Sequence, residues 1–468
     1  MPHALVWFRN DLRLADNPAL QASLRAGFEP LPVYIHAPDE EGGWAPGAAS
    51  DAWRHRSLHA LDADLRARGS RLQVFLGPAL ATLQRLATQT QAEAVFWNRR
   101  YEPAIEDRDA NIKRALRGAG LRAESHSSAV LVEPWQVQTR TGDPYRVFTP
   151  FWRTVLGQWR LPPSFDAPPR LPSPPAVQEA TSIDALGLAP VLGWDGGFWS
   201  EWMPGEVGAQ AATKTFLAQA LDGYHQDRDR PDRTGTSRLS PHLHFGEIAP
   251  WRIVRMLDAA GATADRDAYV RELGWREFAH HLLHHFPQTP EANFNPRFDG
   301  FPWEKPSSRQ LEAWQRGRTG IPIVDAGMRE LWHTGWMHNR VRMIVASFLT
   351  KNLRLHWQHG ARWFWDTLVD ADLASNTLGW QWVAGTGADA APYYRVFNPV
   401  LQAQKFDPQG DYIARWVPEL EKLPAAQRHQ PWTGVIPRGY VKPMVDLAES
   451  RKAALDALSH NSSSPRIL

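Results

Sequence analysis

The chain of 468 residues contains no cysteine. That absence removes disulfides, cysteine-ligated zinc, iron–sulfur clusters and thiol nucleophiles together, and it suits a cytoplasmic protein. No apolar run approaches the roughly 18 residues that a membrane span needs, so no membrane partner is expected. The start, Met1-Pro2-His3-Ala4, has no basic-then-apolar leader, and secretion is not expected. Excess charge is scarce as well: 52 Lys and Arg against 50 Asp and Glu leave a net charge of +2. A nucleic-acid partner would have to be held by a local patch, because the overall balance supplies no strong field. No Gly-x-Gly-x-x-Gly follows the first apolar run, and no Gly-x-x-x-x-Gly-Lys-Ser/Thr occurs anywhere, which disfavours nucleotide loops of those two kinds.

What remains is globular, with 43% apolar and 22% charged residues, too apolar for a disordered chain. The length favours two domains of about 100–200 residues each and a connection. Residues 1–132 alternate short apolar runs (5–8, 31–36, 72–76, 94–97) with amphipathic stretches near 51–68, 79–90 and 103–118. That alternation predicts an α/β domain, a parallel sheet flanked by helices. Prolines crowd 134–190, so 133–204 reads as a linker with little regular structure. From 205 to 468 the pattern is helical, with apolar residues three and four apart in 208–222, 265–286, 321–334 and 338–355. No internal repeat is seen, and the tail ends in the short polar run Asn461-Ser462-Ser463-Ser464-Pro465. The 23 tryptophans are the unusual count, and most of them fill cores.

Four segments carry candidate chemistry. Gly235-Thr236-Ser237-Arg238-Leu239-Ser240-Pro241 offers hydroxyls, an arginine and a helix start that suit a pyrophosphate, and it also reads as an ordinary N-cap. In Trp336-Met337-His338-Asn339-Arg340-Val341-Arg342-Met343, Asn339 and Met343 share a helix face and could line a cavity; a surface helix with one Met turned inward is the plainer alternative. The run 370–382 is dense in polar groups beside Trp380 and Trp382, yet its Asp370 and Asp372 lack further ligands at a metal-binding spacing. His280, His281, His284 and His285 form two i,i+4 pairs, but no His-Glu-x-x-His pattern accompanies them, and a packed cluster is the expectation. No metal site is expected.

These segments fall into one order that resembles the photolyase/cryptochrome family, most closely its bacterial cyclobutane pyrimidine dimer photolyases. Val6-Trp7-Phe8-Arg9-Asn10-Asp11-Leu12-Arg13 is similar to the family's opening strand and turn. Glu272-Leu273-Gly274-Trp275-Arg276-Glu277-Phe278 resembles its substrate-cavity helix, and 319–329, 336–343, 370–382 and Tyr393-Tyr394-Arg395-Val396-Phe397-Asn398-Pro399 follow in sequence. The resemblance spans nearly the whole chain outside the proline-rich stretch. It implies an α/β domain for an antenna pigment, a helical domain for FAD, and light-driven repair of pyrimidine dimers in DNA by an electron loan, performed by a monomer. Under it, Tyr224, Thr236, Ser237, Arg238, Leu239, Ser240, Tyr269, Arg342, Asp370, Ala371, Asp372 and Asn376 hold FAD. Asn376 faces flavin N5, where an amide can accept a hydrogen bond without adding charge. Glu272, Asn339 and Met343 join Asn376 as catalytic residues. Arg228, Glu272, Trp275, Arg276, Asn339, Arg340, Trp382, Gln402 and Lys405 face DNA, where phosphate contacts position the duplex and aromatic faces receive a flipped lesion. Trp380, Trp357 and Trp303 form an electron-transfer chain.

Within the family, an animal-type (6-4) photolyase would carry cavity histidines where this chain has Asn339 and Met343, and the iron–sulfur type needs four cysteines. A cryptochrome photosensor would be expected to extend further at its C-terminus and often to replace the amide at 376. Ala279, Tyr269, Thr377 and Leu378 depart from the commonest family pattern and bear on subclass and cavity shape. Trp97-Asn98-Arg99-Arg100-Tyr101-Glu102 and Glu106 resemble the antenna region, where methenyltetrahydrofolate is favoured over deazaflavin.

Overall fold

Every second residue of the first strand faces a different core. In β1 (His3–Phe8), Ala4, Val6 and Phe8 enter one apolar cluster, and Leu5 and Trp7 enter another on the opposite face. Burial on both faces is the mark of a parallel strand covered by helices. The computed structural model describes residues 1–261, 263–390 and 395–463. Tyr393 and Tyr394, and Ser464 and Pro465 of the tail, lie outside the described residues.

The sheet also contains β2 (Glu29–His36), β3 (Gln73–Leu76), β4 (Ala92–Asn98) and β5 (Arg122–His126), all parallel, in the order β3-β2-β1-β4-β5. β2 carries Pro30 and Pro32, which would break an interior ladder. Here they are harmless, because Glu29 N donates to the β1 side and β3 pairs only with 33–36. Helices α1 (Pro18–Arg25), α2 (Ala48–Arg66), α3 (Ala79–Thr90) and α4 (Pro103–Gly118) cover the faces. The expected α/β arrangement is present, with two elements that periodicity missed. The first is β5, an edge strand reading Arg-Ala-Glu-Ser-His, with no apolar alternation to betray it. The second is α1, which starts on capping chemistry: Asn17 Oδ1 accepts from Leu20 N at 3.1 Å, with Pro18 at the first turn.

The proline-rich stretch holds more order than its composition suggests. It contains α5 (Phe148–Gln158), whose Phe148, Phe151, Trp152 and Val155 are buried. A Cβ on Gly274 would stand 2.6 Å from the Trp152 ring, so α5 and the helix Ala264–His285 meet where only glycine fits. Further on, Thr181 N donates to Val74 O at 2.8 Å, and Ile183, Leu186 and Leu188 bury against the sheet domain.

Beyond it the described residues are helical. Glu206–Gln219, Ala264–His285, Pro322–Thr334 and Asn339–Ser347 match the periodic stretches, and the last continues into a π-turn at Phe348–Asn352. Trp357–Thr367 and Leu373–Ala384 complete the centre of the largest apolar cluster. The two halves are joined by polar contacts as well as packing. Trp53 Nε1 donates to Glu247 Oε1 at 2.9 Å, and Arg13 Nη1 to Gly246 O at 2.7 Å.

Candidate active site

The helix Leu373–Ala384 begins where an aspartate can cap it. Asp372 accepts from Ser375 N at 2.8 Å. Its other oxygen lies 3.8 Å from His244 Nδ1 and 3.7 Å from His280 Nε2. Burial opposes charge on Asp372, but the neighbouring His280, His244 and Arg276 outweigh it and hold the carboxyl well below the usual range. Two residues earlier, Asp370 is buried and takes two bonds from Arg342 Nη2, at 3.0 and 2.7 Å, while Arg342 Nε donates to Met337 O at 2.7 Å. Ala371 between them is buried. Asn376 lies one turn into the helix and spends its amide nitrogen on Ala361 O at 3.0 Å. Its carbonyl oxygen is thereby the end left to accept.

The hydroxyl segment lies on the same side of the protein. Tyr269 O–H donates to Ser237 Oγ at 3.0 Å, and Tyr224 and Tyr269 are buried edge to face at 5.3 Å. Burial pushes the Tyr269 phenol up to about 12. Arg238 takes a positive φ of 52°, rare for a side-chain-bearing residue. Its guanidinium lies over Trp202 and Trp336, at 4.3 and 5.0 Å, and pairs with Glu201 at 2.9 Å. Trp336 Nε1 donates to Ser240 Oγ at 3.3 Å. The helix starting there, Ser240–His244, is only five residues long. Thr236 is half-buried and Leu239 buried. Arg238 Nε and Trp380 Nε1 are buried without a partner among the described residues. Orphaned donors, a strained arginine and an uncommitted amide carbonyl are what a polar ligand with phosphates and ring heteroatoms would satisfy. The residues therefore fit a flavin nucleotide.

At the outer end the same helices present a wetter surface. Arg228 and Glu272 form an ion pair. Asn339 is exposed at the first turn of its helix, which His338 caps by accepting from Arg340 N at 3.2 Å. Burial pushes the His338 imidazole down to about 4, which keeps that nitrogen an acceptor. Arg340 reaches Asp229 at 2.8 Å, Met343 Sδ at 3.8 Å and the Phe406 ring at 4.4 Å. Gln402 and Lys405 project from the helix Pro399–Phe406, with Lys405 exposed. Trp275 stacks on Phe148 at 3.8 Å with planes 7° apart, and Trp382 Nε1 donates to Asp389 O at 3.1 Å.

Arg276 does not join this group. Its guanidinium donates to Ala129 O at the domain junction and its side chain is 14% exposed, so it sits with the junction rather than beside Arg228 and Arg340. Burial at that junction raises the neighbouring Glu277 to about 7, against the pull of Arg276 and the N–H groups of Val132 and Leu131.

Trp380 is buried against Gly360, where a Cβ would come within 2.0 Å of the ring. Gly360 belongs to the helix that Trp357 opens. Trp357 is buried, donates to Asn293 Oδ1 at 3.0 Å and lies 5.5 Å from the His356 ring. His356 in turn contacts half-buried Trp303 at 5.2 Å. The sequence reading missed Trp314, whose ring stands 6.2 Å from Trp380, and His244 beside Asp372, and it read His280, on the other side of Asp372, only as part of a packed cluster. Nothing local marks these; only the assembled helices bring them in. The four clustered histidines divide among three partners: His280 takes the Arg276 carbonyl, His284 Glu106 at 3.0 Å, and His281 and His285 the Pro134 carbonyl at 3.2 Å.

In the antenna region, Arg100 binds Glu41 through two 2.7 Å bonds, Tyr101 O–H donates to Glu133 at 2.9 Å, and Asn98 Nδ2 to Asp11 at 2.6 Å. Trp97 is buried, and Arg99 pairs with Glu133. Arg100, Arg108, Trp7, Tyr34 and His36 line a crevice at the carboxyl ends of β1 and β2, where open parallel sheets take ligands.

Comparison with known proteins agrees with the geometry. Residues 4–175 match the family described as DNA photolyase, and residues 269–460 match the FAD binding domain of DNA photolyase. The deoxyribodipyrimidine photo-lyase of Agrobacterium fabrum is 45% identical over 97% of this chain and 97% of its own length. Cryptochrome-1 of Arabidopsis thaliana is 36% identical over 97% of this chain and 70% of its own. A bacterial class III photolyase from Agrobacterium tumefaciens superposes with a TM-score of 0.95 at 44% identity, covering 99% of this chain and 98% of that one.

Proposed function

This chain belongs to the DNA photolyase family, and we propose on that premise that it is a deoxyribodipyrimidine photolyase that uses light and FAD to repair cyclobutane pyrimidine dimers. The observation that carries the reading is the near-full-length likeness to a relative of that name, higher in identity than the likeness to the plant cryptochrome. The amide at 376 supports it, since its free carbonyl oxygen accepts without adding a negative charge to a reduced flavin.

Bound FAD supplies a light-driven electron loan that opens the cyclobutane ring and is repaid with no net redox change. The chain's own residues supply the rest. Tyr224, Thr236, Ser237, Arg238, Leu239 and Ser240 hold the phosphates and the ribityl chain, and Tyr269 orients Ser237. Arg342, Asp370, Ala371 and Asp372 line the ring system, with Asp370 neutralising Arg342 and Asp372 held between His244 and His280. Trp380, Trp357 and Trp303 conduct an electron inward from the surface. Trp275, Met343 and Trp382 give the extruded dimer apolar and aromatic contact in place of lost base stacking, worth about 1–3 kcal/mol per base. Asn339 and Glu272 bind its polar edges, Glu272 exchanging its bond with Arg228 for one with the lesion. Arg228, Arg340, Gln402 and Lys405 take phosphates. The crevice residues of the sheet domain hold methenyltetrahydrofolate as antenna. A cytoplasmic monomer completes the reading, and no helix among the described residues is long and apolar enough to cross a membrane.

The deciding experiment is repair of ultraviolet-irradiated oligothymidine by the reduced holoprotein, in light and in darkness. Light-dependent recovery of thymine absorbance, lost in Glu272→Ala/Asn339→Ala protein that still binds FAD, is the expected result. A reducible, FAD-loaded protein with no recovery in light would move the chain to the photosensor or (6-4) branch.

A further inference from the structure

Apart from these residues, α2 displays a second polar arrangement. His55 and His59 are one helical turn apart, and their rings meet edge to face at 4.7 Å. Both Nε2 atoms point at one oxygen: Asp184 Oδ1 is 2.9 Å from each. Asp184 opens a short turn, Asp184–Leu186, in the proline-rich connection, 125 residues beyond His59. That turn is anchored. Ile183 and Leu186 are buried in the cluster that also holds Leu58 and Leu61 of α2, and Thr181 is bonded to the edge strand β3. Among the described residues this is the one group of His, Asp and Glu side chains whose three ligand atoms converge within 4.8 Å.

We propose that His55, His59 and Asp184 bind one divalent transition-metal ion, Zn²⁺ or a chemically similar ion such as Co²⁺ or Ni²⁺, which clips α2 to the connection. Two imidazoles and one carboxylate suit such ions; Mg²⁺ and Ca²⁺ take oxygen donors. Donors held at about 2.1 Å from one ion stand about 3.0 Å apart at the right angle of an octahedral site and about 3.4 Å apart at the tetrahedral angle, so a tetrahedral ion needs the side chains to part by about 0.5 Å. The two 2.9 Å separations are already close to the octahedral spacing. Without the ion, each neutral imidazole donates its Nε2–H to Asp184. On binding, each imidazole proton moves to Nδ1 and Nε2 turns its lone pair to the metal. His59 and Asp184 are open to solvent, with side chains 47% and 73% exposed, so the ion has an entry path and water completes its coordination. Neither end belongs to the FAD or DNA residues, and the ion acts as a structural tie. The sequence could not offer this site, because the histidines are an unremarkable i,i+4 pair until the fold delivers Asp184.

The test uses tag-free, FAD-loaded full-length protein, stripped with EDTA and titrated calorimetrically with ZnCl₂. One Zn²⁺ per chain is expected, with affinity reduced at least about tenfold in His59→Ala and in Asp184→Asn. Saturating Zn²⁺ should raise the Tm by on the order of 2 °C in the parent protein and not in the variants. His59→Gln, which keeps a polar side chain at an exposed position, guards against a folding defect, and light-dependent repair should be unchanged in it. Absence of saturable binding, or equal binding in the parent and all three variants, would overturn the site.

Discussion

The inner wall of the helical half and its outer mouth use the same chemistry in different surroundings. Each rests on an arginine–aspartate pair whose arginine comes from the helix Asn339–Ser347. Arg342 pairs inward with Asp370, whose side chain is 2% exposed; Arg340 pairs outward with Asp229, whose side chain is 35% exposed. The two bonds are nearly equal in length, at 2.7 and 2.8 Å, yet their worth differs. The two arginines are about equally wet, at 23% and 19% exposed, so the difference lies in the carboxylates: without Arg342 the Asp370 carboxylate is stranded where water cannot replace its partner, whereas without Arg340 water takes over at Asp229. Under the proposed function, the wall stays fixed and the mouth exchanges its partners for a substrate.

The sharpest way to break this comparison is Trp380→Phe. Photoreduction of the bound flavin without an external donor should cease, while chemically reduced protein keeps its repair activity. Photoreduction at the parent rate would remove Trp380 from the electron path. Next comes the pair of pairs. Arg342→Ala, which leaves the buried Asp370 carboxylate unpaired, should cost about 3–5 kcal/mol and release FAD, and Arg340→Ala, which leaves the wetter Asp229, about 0–1 kcal/mol. Thermal unfolding and bound-flavin absorbance read both, and equal losses would erase the distinction between wall and mouth.

Titration sharpens the same contrast. Folded Glu277 holds its proton to about pH 7, while an unfolded glutamate loses it near its ordinary value of about 4.3. Between those values the folded protein binds more protons, so stability falls as pH rises, by up to about 4 kcal/mol from this residue. Glu330, also pushed up to about 7 by burial, adds to the fall, and His338, pushed down to about 4, opposes it below about pH 6.5. Glu277→Gln should flatten the change in Tm between pH 5.5 and 7.5. A variant as pH-sensitive as the parent would show that Glu277 is ionised throughout. The smallest effect is expected at Lys405, exposed at the rim. Lys405→Ala should weaken DNA binding a few-fold for damaged and undamaged strands alike and reduce the salt slope by about 0.9. A loss confined to damaged DNA would place Lys405 in the lesion cavity.

Legibility in the sequence follows the range of the forces involved. β1 and β2 could be read because burial on both faces leaves an apolar run, and α3 and α4 because one face repeats every turn. β5 could not, since an edge strand needs no apolar pattern, and α5 was hidden among prolines although its aromatic face is buried. In the candidate site, Asp370, Asp372, Asn376 and Arg342 were singled out from their motifs, and the fold joins Asp370 to Arg342. The inward turn of Arg276 was not, because the Ala129 carbonyl that draws it in lies 147 residues away.

By itself, then, the sequence determined the classes of structure in each half, the family, and the residue types that can meet a flavin and a lesion. These depend on local periodicity and on motifs written in contiguous residues. Only the tertiary structure decided which of those side chains are buried or wet, that His244 and His280 flank Asp372, that Trp314 borders Trp380, and that Asp184 closes on His55 and His59. Each of these is a meeting of groups far apart along the chain, made by packing whose energy is spread over whole cores and written in no single motif.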